Sequence, residues 1–163
     1  MFRTIEKERV GFMKKIGLFL VLMMFLFAGC GEEKTGYLEC NNSRNEETFS
    51  TKTEVKVYYE NNIVKTVESI EKVTSDDESI LEYFEEALIE SYASLSENYG
   101  GYTYNFEYEG NTLISKTTIN YEVMDLKALV NDDSSMSTYV NANNQITKTS
   151  IKAMYSVLGL TCK

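Results

Sequence analysis

The feature that most limits the fold of this chain is a β-hairpin pattern between residues 102 and 123. Aromatic and polar side chains alternate from Tyr102 to Tyr108, and Gly110-Asn111 supplies a two-residue turn. The return strand repeats the period of two with Leu113, Ile119, Tyr121 and Val123. A two-residue loop sets Tyr108 opposite Leu113 and Tyr102 opposite Ile119, so both apolar faces coincide. The sequence therefore predicts two paired antiparallel strands with one buried face.

A second hairpin pattern covers residues 52–73. Asn61-Asn62 provides two turn residues that tolerate positive φ, and a return strand rich in β-branched residues follows. The first strand keeps three apolar side chains on one face: Val55, Val57 and Tyr59. In the return strand, Val67 and Ile70 can share a face only if a β-bulge intervenes.

Two longer stretches have helical spacing. Ser75-Asp76-Asp77-Glu78 is typical of a capping box, with Ser75 as the N-cap and Glu78 reaching back to it. The predicted helix ends at Gly100-Gly101 and has one apolar stripe: Leu81, Phe84, Leu88, Tyr92, Leu95 and Tyr99. A C-terminal helix ending at Gly159 is predicted from Ile151, Met154, Tyr155 and Leu158. Between the two helices we expect a short helical turn over 125–130 and a mobile polar loop over 131–145.

The order of these elements predicts the fold class. Tyr37–Cys40 is a short strand candidate that precedes the two hairpins, and no parallel crossover is implied. We therefore expect an α+β domain over residues 36–163, with an antiparallel β-sheet of two hairpins plus a short N-terminal strand and helices packed on one face.

The N-terminal segment has the order of a secretory signal peptide. Lys14 and Lys15 precede an apolar run of 12 residues, Ile16 to Phe27, which is shorter than the roughly 20 residues that span a bilayer. Leu26-Phe27-Ala28-Gly29-Cys30 then resembles the lipobox of bacterial lipoproteins. That resemblance implies a signal peptide over 1–29, lipid on the thiol of Cys30 and a tether over 30–35.

Two questions about this segment stay open in the sequence. The alternative to lipidation is an uncleaved anchor helix with Cys30 as an ordinary thiol. Glu6 and Glu8 are unusual ahead of a basic n-region, so our hypothesis is that translation starts at Met13 rather than at Met1.

The charge of the chain excludes some partners. The whole chain has 16 basic and 25 acidic residues. The first 29 residues contain five of the basic and two of the acidic residues, so the part from Cys30 onward has a net charge of −12. This charge repels phosphate backbones and anionic headgroups, and we expect no nucleic-acid binding. We expect contact with the lipid bilayer only through acyl chains on Cys30.

The remaining cysteines form an even pair, Cys40 and Cys162, one near each end of the predicted domain. In an exported protein this predicts a disulfide, and the alternative is two unpaired thiols. A thiol-disulfide activity is a further alternative, but it needs an exposed thiolate of lowered pKa, normally in a C-x-x-C pair. The sequence has no such pair.

The sequence contains no set of residues with the spacing and placement that catalysis needs. Ser69 and Lys72 have the spacing of a serine-lysine pair, but in a strand they point to opposite faces. The chain has no histidine, and the calcium-loop and phosphate-loop patterns are missing. Four glutamates on the first helix indicate a solvated face rather than a cation site: Glu82, Glu85, Glu86 and Glu90. We expect no enzyme activity, cofactor or metal.

The tyrosines have two interpretations. Tyr102, Tyr104 and Tyr108 could be a recognition surface, but such a row is more often the buried face of a sheet under a helix. Tyr58, on the polar side of its strand, is the better candidate for an exposed interaction surface.

The lipobox, residues 104–110, residues 117–129 and a final helix ending in Leu158-Gly159-Leu160 together resemble the YehR-like bacterial lipoproteins. That family implies a small lipid-anchored α+β domain and supplies no catalytic residues. We therefore expect a non-enzymatic protein on the outer face of the cell membrane that binds an unknown envelope protein or small ligand.

Overall fold

The computed structural model describes residues 34–163. The predicted signal peptide, the Met13 start and the lipidation site Cys30 lie outside the described residues. The strands are β1 Thr35–Asn45, β2 Ser50–Glu60, β3 Ile63–Thr74, β4 Tyr102–Glu109, β5 Thr112–Asn120 and β6 Thr161–Cys162. The helices are α1 Glu78–Tyr99, α2 Leu126–Asp132 and α3 Lys148–Val157, with a 3₁₀ helix at Ser134–Thr138.

All strands join one antiparallel sheet in the order β4-β5-β3-β2-β1-β6. The α+β class with helices packed on one face is confirmed. Two details differ from the prediction: β1 has 11 residues rather than four, and β6 was not predicted. The strands β3 and β5 pair over nine residues and so join the two hairpins into a single sheet.

The second hairpin has the predicted register. Tyr108 lies opposite Leu113 and Tyr102 lies opposite Ile119, and the turn at Gly110 has a φ of 61°. A positive φ at this position is available to glycine at little steric cost, which fixes the two-residue loop.

The first hairpin contains a β-bulge, but it does not lie between Val67 and Ile70, and these two residues do not share a face. Tyr58 is opposite Thr66 while Tyr59 is opposite Val64, so Lys65 is the extra residue. The bulge lets Val64 and Val67 both face the core. Ile70 lies on the other face of the sheet and is 36% exposed.

The start of α1 differs from the predicted capping box. The N-cap is Asp77, whose carboxylate accepts hydrogen bonds from the backbone N–H and the hydroxyl of Ser79. Ser75 is buried two residues earlier, where its hydroxyl donates to the carbonyl of Thr48 and accepts from the N–H of Asp77. The prediction of Ser75 as the N-cap was therefore wrong, because the β1–β2 loop provides a tertiary partner for its hydroxyl.

The C-terminal third also corrects two predictions. Ile151 and Tyr155 are buried on α3, but Leu158 is 61% exposed because the helix has ended at Val157. The predicted polar loop over 131–145 is helical in its first part, where α2 extends to Asp132 and the 3₁₀ helix follows. Residues 141–145 form a turn, which the bridge between Val140 and Ile146 closes.

The core lies between the sheet and the helices in two parts. The larger cluster joins Leu38, Val57 and Val67 of the sheet to Leu126 and Ile151 of the helices. The smaller cluster joins Val73 and Leu113 to Leu81 of α1. A more polar strip crosses the same face of the sheet, and it contains Ser69, Glu71, Ser115 and Thr117.

Candidate functional site

One face of the sheet has no helix packed on it among residues 34–163. The strand registers place alternate side chains of β1, β2, β3, β5 and β4 on this open face. Its charged residues have both signs: Lys52, Lys56, Lys72, Lys116, Glu39, Glu54, Glu68 and Glu107. Lys52 is paired with Glu54 at 2.6 Å, and Lys116 is paired with Glu107.

Tyr58, the residue predicted from sequence as an interaction surface, lies at one end of the open face. It is half-buried, and its hydroxyl donates to Glu68 Oε2 at 2.9 Å. This hydrogen bond to a carboxylate is the main reason that the pKa of Tyr58 is raised. The hydroxyl of Tyr58 is therefore directed at Glu68 as a hydrogen-bond donor.

Tyr58 belongs to a small aromatic and cationic cluster. Tyr37 lies directly opposite it on β1, with ring centroids 6.4 Å apart, and is 53% exposed. Lys56 Nζ lies 4.1 Å from the ring centroid of Tyr37 and 5.6 Å from that of Tyr58, within cation–π range. Sequence reasoning missed Tyr37 and Lys56. The alternation of β2 put Lys56 beside Tyr58, but only the β1–β2 register brings Tyr37 to them.

The open face is concave beside this cluster. One depression of about 580 Å³ is lined by β1, β2 and β3, and a second of about 420 Å³ is lined by β3, β4 and β5. Both are lined by Glu68 and Ile70, so they adjoin. Most of the lining residues are charged or polar, but the surface that they present to the depressions is more apolar than polar. Long charged side chains expose their aliphatic stems in this way, so the depressions suit a partner with both apolar and hydrogen-bonding groups.

The aromatic row of β4 lies on the other face, beside α1. Tyr92 of α1 contacts Tyr104 and Phe106 with ring centroids 5.7 and 6.4 Å apart. The row is not fully buried, because β4 is an edge strand: Tyr104 is 37% exposed and Tyr108 is 47% exposed. The row lies beside a helix as expected, but the expectation that it is buried was wrong: Tyr104 and Tyr108 are exposed and Tyr102 is half-buried.

The cysteine prediction is confirmed. Cys40 and Cys162 form a disulfide and are directly opposite each other in the β1–β6 pairing. Cys40 is 1% exposed and lies in the larger core cluster. Burial of one sulfur and the strand environment of both favour a structural disulfide over an exchange-active one.

The remaining candidate residues lie apart from one another. Ser69 faces the helices and Lys72 faces the open side, as their strand parity predicted. Among the described residues, no group of three potential metal-ligating side chains comes together. Within the same part of the chain, no helix is long and apolar enough to cross a bilayer.

The chain was compared with known proteins. A scan against protein-family models finds no match, and a search of curated proteins finds none. Among solved structures, the chain is similar to the NMR structure of the E. coli YehR protein, with 17% identity and a TM-score of 0.52, over 78% of this chain and 91% of that one. The fold is YehR-like. The chain also matches the NMR structure of a protein from Streptococcus pneumoniae TIGR4, with 9% identity and a TM-score of 0.48, over 83% of this chain and 88% of that one.

Proposed function

We propose that this chain is a lipid-anchored bacterial envelope protein whose extracytoplasmic domain binds a partner on the open face of its sheet and catalyses no reaction. The observation that carries the binding proposal is the cluster of Tyr37, Lys56 and Tyr58 on a concave face with no helix cover in residues 34–163. Half-exposed tyrosines beside a cation give large contact area and polar tips at low entropic cost.

The anchoring part of the proposal is supported by the lipobox and by its distance from the domain. β1 begins at Thr35, five residues after Cys30, which limits the reach between them to about 18 Å of extended chain. A diacylglyceryl group on Cys30 would supply two acyl chains, which is enough for stable anchoring. Tyr37 would then lie close to the membrane surface.

Metabolic labelling with a clickable fatty acid tests the anchoring. We expect the full wild-type chain to be labelled and its Cys30→Ser variant to remain unlabelled and unprocessed. Equal labelling of the two chains would show that the lipoprotein proposal is wrong.

Photo-crosslinking tests the binding face separately. A photoreactive amino acid replaces Tyr37 in the full chain in living cells, and the matched control replaces Tyr83, which is 69% exposed on the helix side. We expect a discrete adduct from position 37 only. Equal adducts at both positions, or none at position 37, would contradict a partner on the open face.

A further inference from the structure

The sheet ends on one side in a strand edge that is open among residues 34–163. β4 has eight residues, contains no lysine or proline and pairs with β5 without a bulge, and its only charged residues are Glu107 and Glu109 near its end, so its first five residues lack the usual features that protect an edge. The opposite edge differs, since β6 and the disulfide cover the middle of β1.

The direction in which each backbone N–H and C=O group of β4 points follows from the alternation of hydrogen bonds along the strand. The N–H of Asn120 donates to the carbonyl of Gly101 at 2.8 Å, so Gly101 bonds toward β5. Bonding direction alternates along a strand, and the backbone groups of Tyr104, Phe106 and Tyr108 therefore point away from β5. The carbonyl of Tyr102 fits this pattern, because it accepts from the hydroxyl of Ser96 rather than from β5.

The flank of α1 runs beside the same edge. Glu85 accepts a hydrogen bond from the hydroxyl of Tyr108, and Ser96 donates to Tyr102, so this flank is fixed at both ends of β4. Ile89 lies between Glu85 and Ser96 at helical spacing and is 39% exposed. An exposed isoleucine is thus level with the middle of β4.

We propose that β4 and this flank of α1 pair with the same elements of a second copy, antiparallel about a two-fold axis near Asn105, Phe106 and Ile89. Such a pairing is self-complementary. A dyad near these residues sets aromatic side chains opposite aromatic ones, and Glu107 opposite Thr103 or Asn105 rather than opposite another glutamate.

The helices support the antiparallel arrangement. The glutamates of α1 on this side, Glu82 and Glu85, lie in its N-terminal half, and the C-terminal half presents Ser96. A two-fold axis brings each acidic half against the other copy's Ser96, and it places Ile89 against Ile89. A parallel arrangement would oppose the glutamates and is disfavoured.

The expected contact is modest in size. One eight-residue strand and a helix flank bury on the order of 600–800 Å² per copy, which is near the lower end for a stable dimer. We therefore expect a reversible dimer that depends on local concentration. The pairing does not depend on lipid attachment.

Thiol crosslinking in the full chain tests this pairing. Asn105→Cys is treated with a bismaleimide that spans about 8 Å, the diagonal cross-strand separation. The matched control is Lys116→Cys, which lies directly opposite Asn105 but one strand further from the edge. Its two copies would be about 14 Å apart, because strands are spaced about 4.8 Å. We expect a crosslinked dimer from Asn105→Cys and none from Lys116→Cys or the wild type.

A second pair of variants tests the helix flank in the Asn105→Cys background. Ile89→Asp opposes two carboxylates at the axis, and we expect the dimer yield to fall about tenfold. Tyr83→Asp changes the solvent side of the same helix and should leave the yield unchanged. No dimer from Asn105→Cys, equal dimer from Lys116→Cys, or equal loss in the two aspartate variants would overturn the proposal.

Discussion

Cys40 on β1 and Cys162 on β6 lie directly opposite each other in the sheet and are joined by a disulfide across a sequence separation of 122 residues. The bond attaches the two-residue strand β6 to an 11-residue strand at the other end of the described domain. It therefore holds the last residues against a strand with which they share only a short backbone pairing.

Removal of the disulfide should destabilise the domain. We expect Cys40→Ser with Cys162→Ser to lose about 2–5 kcal/mol of unfolding free energy, because a long loop in the unfolded chain is no longer closed. Urea unfolding of the variant and of the wild type with and without reductant measures this. If the reduced wild type unfolds at the same urea concentration as the oxidised one, the disulfide has no stabilising role.

Ionisation of Glu71 should lower the stability of the domain as the pH rises, whereas ionisation of a paired carboxylate should raise it. Burial raises the pKa of Glu71 above its usual value of 4.5, so the folded chain binds its proton more readily than the unfolded chain. This contribution to stability is fully present below pH 4.5 and is lost as the pH rises through the raised pKa. We expect Glu71→Gln to be more stable than the wild type at neutral pH, with the advantage shrinking in acid, as measured by urea unfolding.

The control for Glu71 is Glu54 on the open face. The hydrogen bond and ion pair with Lys52 lower the pKa of Glu54. Its contribution is therefore present at neutral pH and is lost as the pH falls through the lowered pKa. Glu54→Gln should slightly reduce stability at neutral pH and have no effect in strong acid. If both variants changed the unfolding free energy in the same direction at neutral pH, Glu71 would not be desolvated.

Two residues of the predicted C-terminal stripe should respond differently to truncation. Ile151 is fully buried, so Ile151→Ala should cost about 2–5 kcal/mol through lost burial and a cavity. Leu158 is 61% exposed, and Leu158→Ala should change stability by less than about 0.5 kcal/mol. Thermal or urea unfolding of the two variants gives the comparison, and similar losses would mean that Leu158 also packs in the core.

Two glycines with positive φ should also differ. Gly110 has a φ of 61° and open space around a built Cβ, so Gly110→Ala should cost only the left-handed strain of about 1–2 kcal/mol. Gly101 has a φ of 76°, and its Cβ would lie 2.7 Å from the carbonyl oxygen of Asn120. Gly101→Ala should therefore cost more than Gly110→Ala in urea unfolding. Equal losses would mean that the chain around Asn120 relaxes freely.

The local periodicity of apolar side chains was sufficient to predict much of the fold. The period of two around Gly110-Asn111 determined the register that sets Tyr102 opposite Ile119, because a two-residue loop leaves one register that buries both apolar faces. The 3.6-residue spacing of Leu81, Phe84 and Leu88 likewise determined which side of α1 faces the sheet. In the candidate site, the same alternation placed Tyr58 on the polar side of β2.

Contacts between segments distant in sequence decided the rest. The β1–β2 register brought Tyr37 to Lys56 and Tyr58, and the β3–β5 pairing made β4 an edge strand with Tyr108 partly exposed. Two residues, Thr161 and Cys162, are too few to show a strand period, so β6 depends on its partner. The sequence by itself determined the strands of the two hairpins, the helices α1 and α3 and the faces that these elements bury, since those follow from the local periodicity of side chains. Only the tertiary structure decided which faces and edges stay open, because exposure depends on the elements that pack beside each strand.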